Sequence, residues 1–386
     1  MSFVFPTYAR WDLEIKEANG SVAIDQNGKT YLDFISGIAV CNLGHGDKDV
    51  KQAVQDQLDK VWHVSNLFQH SLQEEVAEIL TANSCGDAVF FCNSGAEANE
   101  AAIKLARKHT GKSKIVTFKQ SFHGRTFATM SATGQAKIHD GFGPLLPEFE
   151  YLPFNDTESL QQLDGDGYAA IMLEVIQGEG GVVPAEASFI EEVKETCERL
   201  STLLIIDEVQ TGIGRTGLPF AYQHFQIEPD IITAAKGLGS GFPVGAMIGK
   251  KELIASFQPG SHGTTFGGNP LAMAAAKATL TKIFQPPFLD EVVKKSEKMS
   301  DLLKAALLHT PAVTEIRGKG FMIGIQLNQE SASIISELRS NGLLALPAGP
   351  DVIRLLPPLT VTADEIDEAI AVIEKTIKHT ALTVSQ

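Results

Sequence analysis

Short, uninterrupted apolar runs recur through the middle of the chain: Asp87–Cys92 (DAVFFC), Lys114–Phe118 (KIVTF), Ala169–Val175 (AAIMLEV), Thr202–Asp207 (TLLIID) and Asp230–Ala235 (DIITAA). Gly245–Gly249 (GAMIG) is a weaker sixth. Runs that do not alternate with polar residues suit strands buried on both faces, as in a parallel sheet flanked by helices. Between them the period lengthens. Ser94–Lys108 opens with a Ser-x-x-Glu capping box (Ser94, Glu97), and Ala98, Ala101, Ala102 and Leu105 form its apolar stripe. Phe189–Leu200 has the same character. Strands alternating with helices predict an α/β layer fold with a mostly parallel sheet.

The C-terminal part has a different texture. Residues 289–308 carry dense charge at helical spacing, and Arg317–Leu327 reads as a strand. Thr362–Ile377 reads as a capped helix, boxed by Thr362 and Glu365, with Ile366, Ile370, Ile373 and Ile377 on its apolar face. Near the N-terminus two strand-like pieces flank Asn27–Gly28, a turn signal. This divides the chain into a large α/β domain over 56–285 and a smaller α+β domain. The smaller one is made from 286–386 together with the N-terminal segment 1–55.

The charge balance narrows the partners. Thirty-two Lys+Arg stand against 47 Asp+Glu, a formal charge of −15, which disfavours nucleic-acid phosphates and anionic lipid. Four scattered cysteines (Cys41, Cys85, Cys92, Cys197) form no CxxC pair, so a disulfide framework or structural zinc site is not expected. The first residues lack a basic stretch followed by an apolar one, and no apolar run reaches membrane-spanning length. The expectation is a soluble cytoplasmic protein.

Two segments carry chemistry. LLIIDEVQTGIGRTG (203–217) ends an aliphatic run in Asp207, placing a carboxylate where open α/β sheets bind ligands. DIITAAKGLGSGFPVG (230–245) ends another buried run in Lys236, followed by a glycine-rich turn. Burial lowers a lysine's pKa and favours the free amine, the form that condenses with an aldehyde. An amine and an acid so placed suit pyridoxal 5'-phosphate, which needs a Schiff-base lysine and an anionic partner for its ring nitrogen. CNSGAEAN (92–99) offers free amides at a helix start for the phosphate, and Phe122 of SFHGR (121–125) offers a stacking face. Gly212, Gly214 and Gly217 spell GxGxxG, but DEVQT separates them from the strand and no helix start follows, so they read as a loop. A nicotinamide-dependent dehydrogenase using those glycines is the competing reading. The ten histidines show no metal-ligand spacing.

Taken together, SGAEANE, SFHGR, QGEGG, IIDEVQTGIGRTG, AAKGLGSGFPVGAM, SHGTTFGGNP and VIRLLPPL resemble the class III aminotransferases of pyridoxal-phosphate fold type I. The resemblance runs over nearly the whole chain and is strongest to the acetylornithine branch. It implies a large domain with a mostly parallel seven-stranded sheet covered by helices, plus a smaller α+β domain. It also implies a homodimer with shared active sites. Lys236 would be the Schiff-base lysine and Asp207 the partner of the ring nitrogen. Gln210 would hold the phenolic oxygen, Phe122 would stack on the ring, and Ser94, Gly95 and Ala96 would bind the phosphate. Thr265 would reach the phosphate from the other subunit. Arg125 and Thr264 would touch substrate, and Arg354 would clamp an α-carboxylate, covered by Glu179 when that carboxylate is absent. The implied reaction moves the δ-amine of N2-acetyl-L-ornithine to 2-oxoglutarate. Ornithine, succinylornithine and 4-aminobutyrate are alternative donors. The chain departs from the family's GHCHP at Gly44–Lys48 (GHGDK), and Ile38 stands where ornithine aminotransferases have tyrosine, which tilts the donor toward an acylated one.

Overall fold

In the computed structural model, which describes residues 3–384, the apolar runs assemble into one seven-stranded sheet. Its spatial order is Ala88–Cys92, Gly245–Gly249, Ile231–Ala234, Leu203–Asp207, Tyr168–Leu173, Lys114–Phe118 and Phe149–Leu152. The last five are mutually parallel. Gly245–Gly249 runs antiparallel to both neighbours. It follows Ile231–Ala234 after a loop too short for a parallel crossover, which takes about a dozen residues or more and usually a helix. The sequence reading omitted Phe149–Leu152. It is an edge strand, half-buried along its length, so its apolar signal is diluted.

The helix between the first two strands in sequence runs Gly95–Thr110, with the Ser94 hydroxyl accepting from the Glu97 amide at 3.2 Å. The Glu97 carboxylate takes the Asn93 amide at 2.6 Å, so the box closes one residue earlier than the Ser-x-x-Glu spacing predicts. Gly111 ends the helix at φ +68°, the left-handed cap that glycine allows without cost. On the opposite face of the sheet, Phe118 and Phe189 meet edge-to-face with centroids 5.2 Å apart, both fully buried.

The C-terminal portion corrects one expectation. Arg317–Leu327 is not a single strand but part of a hairpin, Val313–Lys319 against Met322–Leu327. It turns at Gly320 (φ +59°), where a Cβ would lie 2.5 Å from the Arg215 carbonyl oxygen. Val352–Leu355 adds to the second hairpin strand. The helix Ala363–Val384 starts as predicted, with Thr362 and Glu365 exchanging hydrogen bonds of 2.7 and 3.2 Å. Ile15–Asn19, Val22–Asp25 and Thr30–Asp33 form an antiparallel meander, and Leu343–Leu344 joins it parallel to the last strand. The two ends of the chain thus share a sheet. Among the described residues no helix is long and apolar enough to cross a membrane.

Candidate active site

The parallel strands deliver Asp207 at the end of Leu203–Asp207, Glu174 just beyond Tyr168–Leu173, and Lys236 just beyond Ile231–Ala234. All three line one cavity of about 420 Å³ at the carboxyl edge of the sheet, where open α/β folds place their ligands. Ser94, Gly95, Ala96, Phe122, Arg125 and Gln210 line it too.

Asp207 is 3% exposed and fixed on every side. One carboxylate oxygen accepts from the Val209 amide at 3.0 Å; the other accepts from Asn99 Nδ2 and faces His123 Nδ1, each at 2.8 Å. Asn99 is itself held, its Oδ1 accepting from Thr233 at 2.6 Å and its Nδ2 also donating to the His123 carbonyl at 2.8 Å. Such a satisfied buried network holds a carboxylate to one orientation. His123 Nε2 is buried without a protein partner.

Lys236 sits at φ +41°, an uncommon backbone for a residue with a side chain. Burial pulls its ammonium pKa below the usual value, opposed by the carboxylates of Glu179, Asp207 and Glu174, while Arg354 reinforces the lowering. The free amine is favoured accordingly. Across the cavity, the amides of Gly95 and Ala96 find no acceptor among the described residues, so the first turn of the helix presents open donors. Gly95 is required there, because a Cβ would come within 2.7 Å of Val209.

Glu174 is a pocket residue the sequence reading did not select. Its two oxygens accept from the amides of Phe122 (3.0 Å) and Gly178 (3.1 Å). Burial pushes its carboxyl up to about 7, with His123 opposing and Asp207 adding to the rise. Asn99 and the ring of His123 also went unassigned. A lone acid inside AAIMLEV and an asparagine amid the alanines of the helix Gly95–Thr110 were the available signals.

Arg354, 2% exposed, lies behind Gln210. Its Nη1 donates to Glu179 Oε1 (2.6 Å), the Gly178 carbonyl (3.0 Å) and Gln210 Oε1 (3.0 Å). Burial pushes the Glu179 carboxyl upward, but the charge and hydrogen bond of Arg354, helped by Lys236, hold it below the ordinary carboxylate value. Arg125 is exposed at the cavity wall, its guanidinium 5.9 Å from the centre of the Phe122 ring. Thr264 stands one contact away, accepting from Asn93 Nδ2 at 3.1 Å. Thr265 is apart from this cavity, in a separate small cleft with His63, Asn66 and Gly268. Ile38 is 41% exposed and does not line the cavity, although Val40 does.

The GxGxxG stretch is a turn-rich loop followed only by a short 3-10 helix, Ala221–Phe225, and not by the α-helix a dinucleotide fingerprint opens. Gly214 and Gly217 are packing sites, where a Cβ would lie 2.5 Å from Ile283 and Val293 respectively. The dehydrogenase reading finds no support in that geometry.

The chain matches the family described as "Aminotransferase class-III" over residues 6–377. It is 63% identical over 380 residues to the acetylornithine aminotransferase of Bacillus subtilis (strain 168), covering 98% of each chain. With that of Listeria monocytogenes serovar 1/2a it shares 55% over 379 residues, again 98% of each. Among solved structures it resembles the ornithine aminotransferase of Toxoplasma gondii, described with partial occupancy of PLP at its active site. There the TM-score is 0.94 at 30% identity, over 100% of this chain and 94% of that one. It also resembles the N-acetylornithine aminotransferase of Stenotrophomonas maltophilia K279a (TM-score 0.85, 35% identity, 98% of both chains). A near-full-length match, together with a lysine and a fixed aspartate facing one cavity at the carboxyl edge of a seven-stranded sheet, makes this chain a member of the class III aminotransferases.

Proposed function

We propose that the chain is the pyridoxal-phosphate-dependent transaminase that moves the δ-amine of N2-acetyl-L-ornithine to 2-oxoglutarate. The products are N-acetyl-L-glutamate 5-semialdehyde and L-glutamate, a step of arginine biosynthesis. The observation that carries the reading is the single cavity shared by the Lys236 amine, the immobilised Asp207 carboxylate and the open amides of Gly95 and Ala96. These suit the aldehyde, ring nitrogen and phosphate of the cofactor in turn. When bound, pyridoxal phosphate supplies a protonated ring that accepts the electron pair left when the carbon bearing the amine loses its proton.

The protein's part is positioning and proton handling. Lys236 would hold the aldehyde carbon and, once displaced, would carry the proton between the amine-bearing carbon of the substrate and that aldehyde carbon, on either side of the nitrogen, a task its depressed pKa suits. Asp207 would keep a proton on the ring nitrogen, since an opposite charge nearby favours the charged form. Phe122 supplies one stacking face, Gln210 the phenolic-oxygen contact, and Ser94 a hydroxyl for the phosphate. Arg125, with Thr264 nearby, receives a substrate carboxylate. Arg354 receives the α-carboxylate of glutamate or 2-oxoglutarate, displacing Glu179. A guanidinium fork suits both clamps, because it can give a carboxylate two parallel hydrogen bonds.

Thr265 acts on the partner subunit's phosphate in a homodimer. Its neighbour Phe266 is 60% exposed, and nearby Trp62, Leu67 and Phe68 are exposed as well, which supports an interface on this side. The four cysteines are free, in keeping with a reducing compartment, and we place the enzyme in the cytoplasm.

Lys236→Ala should abolish turnover and the yellow absorbance that borohydride bleaches as it fixes the cofactor to the lysine; a turning-over Lys236→Ala enzyme overturns the assignment. A panel of amine donors with 2-oxoglutarate tests the substrate. N-acetylornithine should give the highest kcat/KM, and a higher value for ornithine, succinylornithine or 4-aminobutyrate replaces it.

A further inference from the structure

We infer that Asn42 and Arg215 form a buried strut that fixes the backbone carrying Lys236 relative to the Arg354 clamp, making them positioning residues for the transfer. The inference rests on the role given to Lys236 above.

Lys236 occupies the left-handed region, which persists only where surroundings enforce it. The enforcing contact is at the next residue. A Cβ on Gly237 would lie 2.2 Å from Asn42 Nδ2, so the asparagine amide presses directly on the turn. That amide is pinned at both ends: Nδ2 donates to the Ile213 carbonyl at 2.8 Å, and Oδ1 accepts from Arg215 Nη2 at 2.6 Å. The neighbouring Leu43 amide donates to Ser240 at the far end of the same turn (2.9 Å).

Arg215 is fully buried, and among the described residues no carboxylate lies within ion-pair distance of it. Its remaining bonds go to backbone carbonyls, Phe321 at 3.2 Å and Pro357 at 2.5 Å, and Nε has no partner. Burial pushes its pKa down to about 9. A lone buried guanidinium is a costly way to fill space, and an apolar side chain of similar volume commonly does that better. What the guanidinium adds is a rigid planar fork spanning several acceptors. Here it ties the hairpin turn at Phe321, the segment just after Arg354 and, through Asn42, the turn after Lys236. The Leu359 amide closes the loop, donating to the Asn42 carbonyl at 2.8 Å. Amine and carboxylate clamp are thereby held in one frame.

The test uses holoenzyme carrying Asn42→Ala, Arg215→Met or both. The readouts are kcat and KM, the pH titration of the cofactor absorbance, hydrogen exchange at the Gly237–Ser240 amides, and the lysine labelled by borohydride. Misplacing a reacting group by an ångström costs up to about 100-fold, so kcat should fall about 10- to 100-fold with KM near wild type. The titration midpoint should move, exchange at the turn should quicken, and the double variant should fall no further than the worse single one, as members of one unit do. Variants that lose only thermal stability, with wild-type kcat, titration and exchange, overturn the strut. If Arg215→Met does not fold, Asn42→Ala carries the same test. Borohydride labelling of a different lysine in the wild-type enzyme refutes the reading of Lys236 itself, and the strut falls with it. Labelling at Lys236 with unchanged variants refutes the strut alone.

Discussion

Replacing Glu179 by glutamine should separate the two carboxylate requirements of the proposed reaction. In the proposed reaction Glu179 and the α-carboxylate of glutamate or 2-oxoglutarate would compete for Arg354 Nη1, where the protein carboxylate now sits at 2.6 Å. Glutamine keeps the volume and still offers an amide oxygen, so the contact changes from charge-assisted to neutral without opening a hole. Hydrogen bonds to charged groups are worth about 1.5–3 kcal/mol net and neutral ones about 0.5–1.5. The competitor therefore weakens by about 1–1.5 kcal/mol. Because the Glu179 side chain is 33% exposed, solvent screening brings this to about 1 kcal/mol. That corresponds to about fivefold in affinity. The KM for 2-oxoglutarate should fall about fivefold in Glu179→Gln, while the N-acetylornithine half-reaction, which places no carboxylate on Arg354, stays near wild type. Glutamate should gain on N-acetylornithine as a donor by the same factor. Stopped-flow measurement of each half-reaction, followed by cofactor absorbance, reads the two separately. Equal losses in both, or a rise in the KM for 2-oxoglutarate, would show that Glu179 does not guard Arg354.

Other expectations concern the frame around the site. Gly214→Ala puts a methyl 2.5 Å from Ile283 at φ +80°, and overpacking plus left-handed strain should cost about 2–5 kcal/mol in denaturant unfolding; a loss below 1 would refute the packing reading. His45 is raised to about 10 by its hydrogen bonds to Asp33 and Cys41, against the pull of burial. A raised pKa stabilises fully below the unfolded value near 6.5 and is lost as pH climbs through 10, so Tm should drop over that window. His45→Gln should flatten the drop, and an unchanged slope would dismiss the pairing. Glu208 is raised to about 7 by burial, so its ionisation removes stability as pH rises from the unfolded value of about 4.5 through 7. Glu208→Gln, whose oxygen can still accept from the Tyr222 amide while its NH2 donates to a reoriented Thr211 hydroxyl, should gain on wild type across that interval and hold the gain above it. A difference independent of pH would argue against a buried ionisation.

Six of the seven strands of the large sheet and two of its flanking helices were legible from residue type alone, because strands covered on both faces must be continuously apolar and helices must show a stripe. Asp207 and Lys236 were legible for the complementary reason: charged residues that end such runs are hard to explain by solvation. Sequence did not decide strand direction. GAMIG has the same apolar character whichever way it runs, and its antiparallel pairing follows from the short connection after Ile231–Ala234. Nor did it reveal the hairpin within 313–327, since the turn at Gly320 is enforced by its close approach to Arg215, far away in the chain.

What the chain dictated by itself was local: which stretches must be buried, where helices begin, and which reactive groups leave strand ends. What only folding decided was convergence. Glu174, Asn99 and His123 become parts of the site through contacts spanning 24 to 108 positions or through a backbone bond, and Arg354 meets Glu179 across 175. Hydrogen-bond partners of that kind depend on how layers stack, and periodicity carries no information about distances between segments that are remote in sequence.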